Sequence, residues 1–176
     1  WELLNSAQNT PADMEVLKRW ESELPGESLW DAIISDRRIV YGDKFDFRLD
    51  YETKFSHDQA LAYLSQSLQA FDEAFTRFQP DLVVGFVCST LSEYVAYLVA
   101  RNKGIPYLNL RPSRVDNFMG VGPTPNEPSE FVAEQFTRYI SGNRDEWWDK
   151  AAAHLETSRG TGTKYEGVIT PSRKTA

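Results

Sequence analysis

The apolar positions fall into alternating blocks of two periods. Met14, Leu17, Trp20 and Leu24 recur at steps of three and four, which predicts a helix over 12–24 that Pro25-Gly26 stops. Ser28 reads as the cap of a short helix carrying Leu29, Trp30, Ile33 and Ile34. Ser56-His-Asp-Gln59 has the form of a capping box, and Leu61, Leu64, Leu68, Phe71, Phe75 and Phe78 follow at helical spacing. Pro80-Asp81 ends that helix. Leu82-Val-Val-Gly-Phe-Val87 is a short continuous apolar run, the pattern of a strand buried on both faces. A second capping box, Thr90-Leu-Ser-Glu93, opens a helix with Leu91, Tyr94, Val95, Leu98 and Val99, and Gly104 stands at its C′ position. Pro106 to Leu110 reads as the next strand.

Leu82 to Leu110 thus has the grammar of one βαβ unit with a right-handed crossover, and the chain reads as an α/β protein. Residues 111–128 have no apolar period and are rich in Pro and Gly, which predicts a long loop at the carboxyl end of a strand. Ser129 caps a helix with Phe131, Val132, Phe136, Tyr139 and Ile140; Ser141-Gly-Asn143 breaks it, and another helix runs through Trp147, Trp148, Ala151 and Leu155. Asp43 to Tyr51 alternates enough for a strand, but an ordered loop fits equally well. The expected division is one domain over 1–158 with a linker or tail over 159–176. A chain that opens on Trp1 and closes on a polar stretch reads as a piece of a longer protein.

Composition narrows the function. The 19 Lys and Arg against 26 Asp and Glu give a net charge of −7, which argues against a dedicated nucleic-acid binder. The single cysteine, Cys88, excludes an internal disulfide and a cysteine-based metal cluster. Two histidines without spaced partners make no metal site, and no cofactor is expected. No apolar stretch is long enough to span a bilayer, and the sequence is compatible with the cytosol. The P-loop, the Rossmann glycine fingerprint and the nucleophile elbow are absent; Gly160-Thr-Gly-Thr-Lys164 has no strand before it.

Ligands of open α/β sheets bind beyond the carboxyl ends of the strands. The first such end is Cys88-Ser89-Thr90, ahead of a helix N-terminus that favours anions or hydroxyl-rich ligands. The second is Arg111-Pro-Ser-Arg114 with Asp116 and Asn117. If both face one cleft, Ser89, Thr90, Arg111, Ser113, Arg114 and Asn117 are the candidate binding residues for a phosphate, carboxylate or sugar. Each has a plainer reading: Thr90 and Glu93 as caps, and the arginines as solvated loop residues. Cys88 reads as a small buried residue, and His57 and His154 as surface or packing residues. Asp36-Arg37-Arg38 reads as a salt-bridged surface, and Trp147-Trp148 as core plus one exposed ring. The Asp43, Asp46 and Asp50 cluster reads as a solvated loop.

The stretches Phe78-Gln-Pro-Asp-Leu-Val-Val-Gly85, Ala100-Arg-Asn-Lys-Gly-Ile-Pro-Tyr107 and Arg111-Pro-Ser-Arg-Val-Asp-Asn117 resemble the N-terminal half of two-domain bacterial glycosyltransferases of the capsule and surface-polysaccharide type. The resemblance covers about Trp30 to Ile140. It implies an incomplete GT-B-like fold, a Rossmann-like parallel sheet flanked by helices, that binds a sugar or glycolipid acceptor. The nucleotide sugar would sit in a second domain, with peripheral contact to the inner membrane and no metal. The same pattern recurs in sugar-nucleotide 2-epimerases, and a non-catalytic ligand-binding or interaction module is the third reading. The resemblance transfers no catalytic base.

Overall fold

The computed structural model describes residues 7, 9–36, 38–39, 55–113, 115, 118–127 and 129–161. The element order is α1 (Met14–Glu23), α2 (Leu29–Ser35), α3 (His57–Phe78), β1 (Val83–Phe86), α4 (Leu91–Asn102), β2 (Tyr107–Pro112), β3 (Met119–Gly122), α5 (Glu130–Ile140) and α6 (Glu146–Thr161). The protein is α/β, with helices flanking a small three-stranded mixed sheet of order β1-β2-β3. Contacts divide it into two compact units, Trp1–Arg111 with Val121–Glu127, and Pro112–Gly120 with Pro128–Ala176.

Local chemistry sets the helix ends of the first unit. The Asp13 carboxylate accepts from the backbone N–H of Glu15 and Val16 and starts α1, whose Leu17 and Trp20 turn inward. The predicted box at Ser56 is complete. Gln59 N–H donates to Ser56 Oγ at 3.2 Å, and Ser56 N–H donates to Gln59 Oε1 at 2.9 Å. Gln79 closes α3 in the left-handed region at φ 46°, and Pro80 prevents continuation. Gly104, at φ 67°, turns the chain after α4 as its predicted C′ role requires.

α4 is the central helix of this unit. Leu91, Val95, Leu98, Val99 and Ala100 are fully buried, and α4 packs on α2, α3 and β1. Burying each such Leu or Val stabilises the fold by about 1.5–3 kcal/mol. β1 and β2 pair in parallel, with Val83 opposite Tyr107, Gly85 opposite Asn109 and Phe86 opposite Leu110.

Several expectations are corrected. β1 is not buried on both faces: Val84 and Phe86 are each 55% exposed, because helices cover only one side of the strand pair. The 111–128 stretch holds a third strand, β3, which short Gly-rich sequence did not reveal, and which makes the sheet mixed rather than all parallel. Ser129 stands at the N-cap of α5 without a side-chain hydrogen bond, and no residue of α5 is buried. Residues 159–161 belong to α6, so Gly160 lies in a helical turn. Asp36 is not a surface residue; it is fully buried. Trp147 and Trp148 are 48% and 40% exposed, so neither is core. The 43–51 segment, with its three aspartates, and Arg37 lie outside the described residues.

Candidate functional site

The first unit has a cleft of about 180 Å³ beside the turn that leaves β1, lined by Asp31, Ile34, Ser35, Cys88, Tyr94 and Asn126. α2 brings Asp31 and Ser35, α4 brings Tyr94, and the turn after β1 brings Cys88. That turn is tight: Val87 and Cys88 both adopt positive φ, 65° and 51°, a conformation L side chains resist. The Tyr94 hydroxyl donates to Asp31 Oδ2 at 3.5 Å and accepts from Asn126 Nδ2 at 3.4 Å. Burial, reinforced by the Asp31 and Glu27 carboxylates, raises the Tyr94 phenol above its ordinary pKa. Burial and then Glu93 push the Cys88 thiol up to about 12. Cys88 is therefore a protonated thiol at neutral pH and a poor nucleophile. Neither histidine lines the cleft: His57 packs against the Trp30 ring at 5.5 Å, and His154 Nε2 lies 3.4 Å from Ser158 Oγ.

Ser89 and Thr90 follow Cys88 without lining the cleft, and the Ser89 backbone N–H and the Thr90 hydroxyl are engaged with Glu93. Glu93 N–H donates to Thr90 Oγ1 at 3.3 Å, while Glu93 Oε2 accepts from Ser89 N–H at 2.9 Å and from Thr90 Oγ1 at 3.2 Å. The α4 N-terminus also has an internal anion. Asp36 Oδ2 accepts from Leu91 N–H at 3.0 Å. The same carboxylate takes Arg38 Nε and Nη2 at 2.9 and 2.6 Å, and Arg38 Nη2 reaches the Tyr63 hydroxyl, which meets Ser92 Oγ at 3.0 Å. A buried side chain thus supplies the negative charge that the helix dipole favours. The charge run at 36–38 gave no sign of this, because a 55-residue separation joins Asp36 to Leu91.

Arg111 donates from Nη2 to the Thr124 carbonyl at 2.8 Å and to the Pro125 carbonyl, so it braces the loop that carries Asn126. Asn109 Nδ2 also donates to the Pro125 carbonyl, at 3.3 Å. Ser113 belongs to the second unit, where its hydroxyl bridges Val115 N–H and C=O in a local turn. Arg114, Asp116 and Asn117 lie outside the described residues. The structure therefore places Ser89, Thr90 and Arg111 in one unit. It brings Asp31, Ser35, Tyr94 and Asn126 to the cleft, which sequence reasoning missed. Asp31 and Ser35 sit one helical turn apart on α2, a spacing that marks a shared face but not what that face meets.

The second unit has its own concavity of about 1070 Å³, lined mainly by apolar and aromatic side chains. Phe118 meets Trp147 edge-on at 6.0 Å, and Lys150 Nζ lies 4.0 Å from the Trp147 ring centre. Among the described residues no group of three or more His, Cys, Asp or Glu is placed to hold a metal, and no helix is long and apolar enough to cross a membrane. In comparisons with protein families, curated proteins and solved structures, the chain matches none.

Proposed function

We propose that this chain is the acceptor-side domain of a glycosyltransferase of bacterial capsule or surface-polysaccharide synthesis, and that the cleft between α2, α4 and the turn after β1 takes one sugar of the acceptor. The observation that carries the reading is the cleft lining: a carboxylate, a phenol, an amide and a hydroxyl beside the carboxyl end of β1. Its volume is below the ~300–1,000 Å³ of sites for drug-sized ligands and suits a single ring. Its carboxylate accepts, and its amide and hydroxyls both accept and donate, as a polyhydroxylated ligand requires. A phosphate is less well served, because Asp36 already satisfies the α4 N-terminus. The motif resemblance over 78–117 supports the same class.

In this reading the nucleotide sugar is held by a second domain and reaction occurs between the two, in the cytoplasm, by positioning of donor and acceptor. Arg111 would brace the loop that carries Asn126 on the acceptor side, with Ser89 and Thr90 holding the start of α4 beside it. The sugar-nucleotide epimerase half shares this sheet grammar. A second reading, an interaction module, draws on the apolar face that Val84, Phe86 and Leu108 expose.

The test is calorimetric titration of the chain with a panel of methyl hexopyranosides. Binding is expected, weakened about tenfold by Asn126→Ala and by Asp31→Asn. Binding that both substitutions leave unchanged removes the cleft from the reading, and no binding removes the reading itself.

A further inference from the structure

The second unit surrounds a concavity rather than a core, for none of its described residues is buried. The concavity of about 1070 Å³ runs along one stripe of each helix. Val132 and Tyr139, seven positions apart, share a face of α5. Trp147, Lys150, Ala151, His154 and Thr157 recur at steps of three and four on α6. Val115 and Phe118 join from the segment ahead of β3. Ala151 and Ala153 leave the space open, because two methyl groups stand where larger side chains would fill it. The volume matches the upper end of the range found for enclosed ligand sites.

Its charge is one-sided. Among the described residues no Asp or Glu lines the concavity, although the same unit carries Glu130, Glu134, Asp149 and Glu156. Asp145 touches the lining through Tyr139 and is already engaged: its Oδ1 accepts from the Tyr139 hydroxyl at 2.6 Å and from the Trp147 N–H at 3.0 Å, where it starts α6. The Thr157 hydroxyl is spent too, on the Ala153 carbonyl at 2.9 Å. The cations are held differently. The Lys150 ammonium lies 4.0 Å from the Trp147 ring centre, and the Arg144 guanidinium 4.4 Å from that of Trp148. Neither forms an ion pair with a carboxylate among the described residues. A ring face attracts a cation without neutralising it, so both charges stay open to an anion. In a chain of net charge −7 this local excess is the reverse of the whole.

We propose that the concavity between α5 and α6 binds a single-chain amphiphile, with its hydrocarbon chain against Phe118, Val132, Trp147 and Ala151 and its anionic head at Lys150. Arg144 adds to the field that the head meets. The chain and the head do different work. Each methylene taken out of water strengthens binding about fourfold. Pairing with an exposed ammonium adds only about threefold to fivefold in all. The apolar walls therefore supply the affinity, and Lys150 supplies the choice of an anionic head over a neutral or cationic one. Every residue of this lining belongs to the second unit, so the proposal stands or falls without the sugar cleft of the first.

The experiment titrates the chain calorimetrically with decanoate, octanoate, decanol and decyltrimethylammonium, each below its aggregation concentration. Decanoate is expected to bind one site per chain, about tenfold more tightly than octanoate and about fivefold more tightly than decanol, with decyltrimethylammonium weakest. Lys150→Met keeps the apolar stem and removes the charge. It should bring decanoate down to the level of decanol and leave decanol unchanged. Ala151→Phe fills the concavity and should weaken both, with its fold checked by far-UV circular dichroism; if that variant does not fold, Lys150→Met on its exposed side chain decides alone. Binding of decanol or decyltrimethylammonium as tight as that of decanoate marks a merely apolar or acidic surface and overturns the proposal. Decanoate binding that Lys150→Met, or a folded Ala151→Phe, leaves unchanged overturns it as well, and so does the absence of saturable binding.

Discussion

Replacing Asp36 by alanine tests the buried junction that joins α2 to the N-terminus of α4. The carboxylate accepts four hydrogen bonds, from Arg38 N, Nε and Nη2 and from Leu91 N. Alanine leaves two backbone N–H groups and a guanidinium without that acceptor. Removing one member of a buried ion pair costs about 3–5 kcal/mol. The Arg38 side chain keeps 27% exposure, so water recovers part of its hydration and the lower end, ~3 kcal/mol, is expected. With a urea slope of about 2 kcal/mol/M, the midpoint should fall by about 1.5 M. Asp36→Asn keeps an oxygen for Leu91 N–H and should lose about half as much. Urea unfolding by far-UV circular dichroism gives the midpoints, and hydrogen exchange at the Leu91 amide reports the helix end directly. A midpoint shift under about 0.3 M for Asp36→Ala, with Leu91 exchange unchanged, would refute the claim that an internal carboxylate holds this helix end.

Gly85→Ala places a methyl 2.0 Å from the Tyr107 hydroxyl and 2.8 Å from Cζ, so ring or strand must shift, at a cost of about 1–3 kcal/mol. Thermal unfolding should show the loss, and adding Gly85→Ala to Tyr107→Ala should cost distinctly less than adding it to the native chain. For Cys88, the folded thiol holds its proton up to about 12 against an ordinary 9.0. Between those values the unfolded chain has lost the proton and the folded chain has kept it, so this group's contribution to stability falls as pH rises from about 9. Iodoacetamide labelling of the folded chain should be slow at neutral pH and accelerate only toward pH 12, with rapid labelling at pH 7 contradicting the burial argument.

The parts of this fold written in the sequence are those whose causes are local. The Ser56 box, the Pro80 stop and the Gly104 turn each depend on residues within four positions and form as the pattern predicts, while the expected box at Thr90 forms only its Thr90 half, Glu93 turning to the Ser89 N–H instead. The parallel pairing of β1 with β2 follows from the strand–helix–strand order, in which the crossover through α4 returns the chain in the same direction. The candidate site was legible only as a region. Of the corner at 88–90 only Cys88 lines the cleft, not the expected Ser89 and Thr90, and Asp31, Ser35 and Asn126 come to it from segments read as plain helix or loop.

The apolar runs alone could not say which sides of a strand would be covered. Leu82 to Val87 is uniformly apolar, so no alternation marks the exposed positions of Val84 and Phe86; only the placement of α4 does. β2 shows the converse, for its Tyr-x-Asn-x-Arg alternation resembles a solvated face and yet lies under the helices. By itself the sequence determined the starts and stops of α1, α3 and α4 and the succession of β1, α4 and β2, because hydrogen-bond capping and helical period act over a few residues. The tertiary structure alone decided that Asp36 serves a helix 55 residues away, and that Asn109 and Arg111 meet at one carbonyl. Burial and long-range pairing depend on how elements pack, and that is a property no short window of residues contains.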